Sequence, residues 1–140
     1  MRAIGPTALL TLFLRLSLGL FLSLSVYADS EASDKAPIIT PAELAARREA
    51  GTAPVVIDVR SAAEFATGHI PGAVNIPYDV VAERIGEVEA PNGVALYCMV
   101  GPRARLGEAA LLASGYDSVL HIEGGLAAWK ASGLPVEGTP

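Results

Sequence analysis

With 140 residues, one cysteine and a formal charge of −5, the chain has room for one compact domain and none for an internal disulfide. It contains no basic run, and its few aromatics are not interleaved with cations, so nucleic-acid binding finds no support. Its acidity also means that any anion site must be built locally, against the overall field.

Met1 and Arg2 make a short basic start, and Leu16 to Val26 is an apolar run of signal-peptide length. Val26-Tyr27-Ala28 places small residues where a signal peptidase reads them. Residues 1–28 are therefore expected to be a cleaved signal peptide. An uncleaved anchor is the alternative, which Arg15 disfavours because it interrupts the apolar stretch. Cleavage removes two arginines and no acid, taking the formal charge from −5 to −7. Residues 29–37 read as a polar tether and residues 38–140 as the folded domain, exported to the bacterial periplasm and with no membrane contact once the leader is removed.

Thr40-Pro41-Ala42-Glu43 combines an N-cap, a proline at the first helical position and a glutamate at the third, so a helix runs to Ala50 and stops at Gly51. Val55-Val56-Ile57-Asp58-Val59 is a β-branched run of the kind found in buried parallel strands. Ser61-Ala62-Ala63-Glu64 is a second capping box, opening a short helix that closes at Gly68. Ala73 to Ile76 follows the Pro71-Gly72 turn as a short strand. Val80, Val81, Ile85 and Val88 share one face of a helix between Tyr78 and Glu89. Val94 to Tyr97 is another buried strand. A loop from Met99 to Pro102 then leads into a helix from Arg103 to Ser114, with Leu106, Ala110 and Leu111 as its buried stripe. Val119 to Ile122 is a further strand and Leu126 to Ala131 a last helix. This alternation predicts an α/β domain around a central parallel β-sheet.

Ligands of open α/β sheets bind beyond the carboxyl ends of the strands, and Cys98 stands at such an end, just before a helix N-terminus. Unpaired backbone N–H groups there, with the helix dipole, favour a thiolate and can hold the oxygens of an anion. Gly101 lets the loop curl, Pro102 stiffens its exit, and Arg103 adds positive charge at the rim. A thiolate inside a ring of amides is suited to carrying a second sulfur atom as a persulfide. The bland reading of Cys98 is a buried strand-end cysteine with no chemistry. Asp58 ends a strand on the same edge and is a candidate for positioning the loop, although a structural role is preferred. Arg60 and Glu64, four apart, are expected to pair. Arg105 is expected at the surface. His69 is read as a turn-stabilising residue, and His121 and Trp129 as core residues. Two histidines and one cysteine without ligand spacing offer no metal site.

Four stretches in order resemble the rhodanese family from about Ile38 to Glu137: Ile57-Asp58-Val59-Arg60 with Glu64-Phe65; Gly68-His69-Ile70-Pro71-Gly72-Ala73-Val74-Asn75-Ile76-Pro77; Cys98 to Arg103; and Gly124-Gly125-Leu126 with Trp129 and Gly133-Leu134-Pro135-Val136. The resemblance implies a rhodanese-like α/β domain, a central parallel sheet flanked by helices on both faces. It places the active cysteine on Cys98 and the substrate-binding loop on Met99, Val100, Gly101, Pro102 and Arg103. It implies a sulfurtransferase that moves a sulfane sulfur from a small anion such as thiosulfate to cyanide or a thiol, without a cofactor. Related phosphatases and arsenate reductases place five residues between cysteine and arginine, whereas four intervene here. Many active thiosulfate sulfurtransferases carry a basic residue where Met99 and Val100 stand, which points to a persulfide, polysulfide or partner protein as donor. The rival reading is a rhodanese-like module that binds a partner or delivers sulfur without turnover.

Overall fold

The computed structural model describes residues 35–138, so the expected signal peptide and most of the tether lie outside the described residues. The elements are β1 (Ile38–Ile39), α1 (Pro41–Glu49), β2 (Val55–Asp58), α2 (Ala62–Ala66), β3 (Val74–Asn75), α3 (Val81–Arg84) with a 3-10 turn (Ile85–Glu87), β4 (Val94–Tyr97), α4 (Pro102–Ala113), β5 (Val119–Ile122) and α5 (Gly125–Ala131). All strand pairs are parallel, in the order β1-β5-β4-β2-β3.

Alternation along the strands gives the sheet two apolar faces. On β4, Val94 and Leu96 join Ile57, Val81, Ala104 and Leu111 in a core beneath α3 and α4. Ala95 and Tyr97 point the other way, joining Val56, Leu44, Leu126 and Trp129 beneath α1 and α5. All four β4 residues are buried, as a central strand covered on both faces requires. Trp129 is a core residue, as expected, and its indole N–H donates to the Pro135 carbonyl at 2.7 Å. Packing starts before Ile38: Ala36 is buried, and the Pro37 carbonyl accepts the His121 N–H at 2.8 Å. Ala36 and Pro37 are thus packed onto the domain ahead of β1.

Both capping sequences start helices, but only the second closes reciprocally. Ser61 Oγ accepts the Glu64 N–H while the Glu64 carboxylate accepts the Ser61 N–H. At α1, Thr40 caps the Glu43 N–H, whereas the Glu43 side chain turns forward to Arg47 at 2.6 Å. The expected helix between Tyr78 and Glu89 shortens to α3 and a 3-10 turn, in a stretch weakened by β-branched valines and Gly86. In α4 the expected stripe is wrong at Leu106, which is 58% exposed. The buried face consists of Ala104, Gly107, Glu108 and Leu111. Gly107 lies on this face, where a Cβ would come within 3.2 Å of both the Leu96 and Val81 side chains, so α4 settles closely on the sheet there.

Strand order also positions the site. The chain leaves β2 toward β3 on one side and leaves β4 toward β5 on the other. The crevice between the ends of β2 and β4 is thus the topological switch point of the sheet. The segment carrying Arg60 and Glu64 follows β2, and the loop from Cys98 to Arg103 follows β4.

Candidate active site

Cys98 is 2% exposed and lies in the core beneath α4. The Gly101 N–H donates to its sulfur at 3.1 Å. This contact needs the Gly101 backbone at φ +134°, a conformation L side chains rarely adopt, and Pro102 then starts α4 at once. Two of the loop carbonyls are engaged by α5. Cys98 O accepts the Leu126 N–H at 2.9 Å and Met99 O accepts the Ala127 N–H at 3.0 Å, so the first turn of α5 clasps the loop from behind. Gly125 permits that approach, because a Cβ there would lie 2.4 Å from Cys98 O, and its φ is +58°. Gly125→Ala is accordingly expected to lower stability by about 2 kcal/mol or more and to displace the loop. Urea unfolding checks the first effect and the rate of Cys98 alkylation the second.

The loop side chains divide into two kinds. Met99 and Val100 are exposed and apolar, Val100 at 61%, and neither offers a hydrogen-bond donor. Arg103 turns instead toward the segment after β2. Its NH1 lies 2.7 Å from Glu64 Oε2 and its NH2 2.8 Å from Oε1, a bidentate pair. The Glu64 hydrogen bonds push the Arg103 guanidinium above its ordinary range, and the Cys98 sulfur adds a smaller contribution in the same direction. In return, chiefly through Arg103 and then Ser61, the Glu64 carboxyl falls from 4.5 to about 2.

A carboxyl lowered on folding stabilises the protein fully above its unfolded pKa, and this contribution is lost as pH falls through the folded value. Glu64 therefore stabilises above about pH 4.5 and ceases to do so toward about pH 2. Because the pair is about a third exposed, the effect is limited to about 1 kcal/mol. Thermal unfolding of wild type and Glu64→Gln is expected to differ at neutral pH and to converge across that acidic interval.

Asp58 lies outside the sulfur's contacts. It is fully buried and accepts from Arg60: the backbone N–H at 3.0 Å, Nε at 2.9 Å and NH2 at 2.6 Å. Arg60 NH2 also donates to the Gly68 carbonyl at 2.8 Å. The expected Arg60–Glu64 pair is thus replaced by Arg60–Asp58 and Arg103–Glu64. Arg60 precedes the Ser61 cap and is not helical, so helical four-residue spacing does not apply to it. Tyr97, immediately before Cys98, is fully buried; its hydroxyl accepts the Ile70 N–H at 3.0 Å. Burial and then the Asp58 charge push its phenol far up, so it stays neutral. Asp58 acts as a structural bracket beneath the site.

His69 stabilises its turn, as read: Nδ1 donates to Phe65 O at 2.9 Å and its ring stacks on Phe65. His121 is a satisfied core residue, but its partner was not foreseen. Its Nδ1 lies 2.6 Å from Oε1 of the buried Glu108, and its ring packs behind Gly101. Arg105 is only half free of the protein, bonding the Ala36 carbonyl and Glu108 at 3.1 Å each. Sequence reasoning missed Glu108. The helical spacing of Ala104, Glu108 and Leu111 carried the signal, but a carboxylate is a poor guess for a core face.

A family model, the rhodanese-like domain, matches residues 40–132. A sulfurtransferase of Allochromatium vinosum is 37% identical over 82 residues, covering 59% of this chain and 77% of that protein. The thiosulfate sulfurtransferase GlpE of Pseudomonas savastanoi pv. phaseolicola is 30% identical over 94 residues, covering 67% and 87%. Other relatives are longer: the chain spans 46% of one and 28% of another. Among solved structures, the rhodanese-like domain of an Anabaena protein superposes with a TM-score of 0.65 at 33% identity, covering 73% of this chain and 79% of that one. A cysteine loop at the switch point of a five-stranded parallel sheet and a matching family model agree: this chain belongs to the rhodanese-like domain family.

Proposed function

We propose that the chain is an exported sulfurtransferase that carries a sulfane sulfur on Cys98. The observation that carries this reading is the Gly101 N–H held at 3.1 Å from the sulfur, in a loop whose Cys98 and Met99 carbonyls are bonded to the first turn of α5. Donors fixed in this way stabilise negative charge on the sulfur without reorganisation. In the first step the Cys98 thiolate attacks the outer sulfur of a donor; with thiosulfate, the S–S bond breaks and sulfite leaves with the electron pair. In the second, cyanide or a thiolate removes that sulfur and the thiolate returns. The covalent intermediate gives ping-pong kinetics, and the reaction calls for no cofactor.

Four residues between Cys98 and Arg103 favour a sulfur atom over a tetrahedral phosphate as the cargo. The apolar residues 1–28 support export to the periplasm and removal of the leader. The exposed Met99 and Val100 favour a second reading, a sulfur-delivery module that meets a partner protein at this rim. Intact mass of the chain from residue 29, before and after thiosulfate, tests the main reading. A gain of one sulfur atom that cyanide reverses is expected. Failure to load from both thiosulfate and polysulfide would leave the binding module.

A further inference from the structure

We infer that Glu64 sets donor choice at Cys98: by occupying both terminal nitrogens of Arg103, it cancels the loop's cationic charge and turns the site from the thiosulfate dianion toward persulfides, R–S–SH. This rests on the sulfurtransferase reading and specifies its substrate class. The pair is bidentate, at 2.7 and 2.8 Å, and each partner is about one third exposed. Glu64 is not free to swing aside, since its Oε2 also accepts the Ser61 N–H at 3.1 Å and the Ser61 hydroxyl at 3.0 Å. Those bonds cap α2, so releasing Arg103 would fray that helix as well.

The charges at the rim then decide between donors. Arg103 and Glu64 sum to zero, and a Cys98 thiolate adds one negative charge. An approaching dianion meets that negative charge with only backbone N–H groups to offset it, in a protein already acidic. Met99 and Val100 present apolar surface to the donor and supply no hydrogen bond to its oxygens. A persulfide brings no sulfonate oxygens. Its outer sulfur is attacked by the Cys98 thiolate, the S–S bond to the carrier breaks, and the carrier leaves as R–S⁻. The proton stays on the transferred sulfur, giving Cys98–S–SH, so atoms and charge balance.

Glu64→Gln tests this in the full chain, because glutamine keeps an acceptor for the cap and removes the charge. Rates of Cys98 loading are measured by rapid-quench mass spectrometry with thiosulfate and with the persulfide of β-mercaptoethanol, a neutral carrier. The thiosulfate-to-persulfide ratio is expected to rise at least about tenfold in Glu64→Gln, and to return toward wild type in Glu64→Gln with Arg103→Gln. In wild type, added salt is expected to leave thiosulfate loading unchanged or faster, because repulsion is being screened. A ratio within about twofold of wild type in Glu64→Gln, or thiosulfate loading of wild type that slows with salt, would overturn the role of Glu64 alone. Absence of loading by either donor in wild type would overturn the sulfurtransferase reading with it.

Discussion

Cys98→Ser is expected to reduce sulfur transfer by at least about a thousandfold and to abolish the mass gain on incubation with donor. The amide of Gly101 can stabilise a thiolate because a thiol ionises readily. A serine hydroxyl has no comparable anion and would need a base. Of the two histidines, His69 has Nδ1 committed to the Phe65 carbonyl and Nε2 3.7 Å from Glu137, and His121, whose ring packs behind Gly101, has Nδ1 held 2.6 Å from Glu108 Oε1. The exchange of sulfur for oxygen is small in volume, so the fold should survive with a change of about 1 kcal/mol or less. Steady-state transfer to cyanide, with circular dichroism of the same sample, separates the two effects. Residual activity within tenfold of wild type would place the nucleophile elsewhere. A sulfur-delivery module would keep partner binding in this variant while losing its cargo.

The second large effect is expected in the core. Arg60→Ala should destabilise the domain by about 3–5 kcal/mol, because it strands the Asp58 carboxylate in a fully buried position. Three Arg60 donors reach that carboxylate, and a fourth contact ties the guanidinium to Gly68. For a domain near 100 residues such a loss lowers the melting temperature by roughly 15 °C or more. Replacing both members, Asp58→Leu with Arg60→Met, is expected to recover much of the loss, since a buried pair removed whole costs far less than one broken. Urea unfolding of the three proteins provides the check; a loss below about 1 kcal/mol in Arg60→Ala would mean that water reaches Asp58. The effect reaches the site because Asp58 is paired in register with Tyr97 across β2 and β4, and Tyr97 is the residue before Cys98.

These two regions also separate what the sequence made legible from what it did not. The run from Val55 to Val59, the second capping box at Ser61 and the passage from Tyr97 through Cys98 into Pro102 are local patterns, and each formed the element its pattern implied. The placement of Cys98 at a strand end followed from them. Pairings across the chain had no such signature. Arg60 and Glu64 stand at a tempting interval, yet Arg60 turned back to Asp58 two residues before it, and Glu64 found Arg103 through the meeting of the β2 and β4 loops, a matter of sheet order. The face of α4 that packs on the sheet likewise carries Gly107 against Leu96 and Val81, which the positions of its leucines did not reveal. Glu108 sits in a core with two partners, Arg105 one turn away on the same helix and His121 brought to it by β5, and only the second depends on the fold.

The clasp of α5 on the loop has a consequence for how such a site can change over time. In the proposed sulfurtransferase, reactivity at Cys98 rests on peptide groups: an amide directed at the sulfur, and two carbonyls fastened from behind. None of these depends on which side chains stand at Met99 and Val100, which project outward. Nucleophilicity and preference are therefore inherited separately. The rim can drift toward one donor or another, substitution by substitution, while the sulfur chemistry stays intact beneath it.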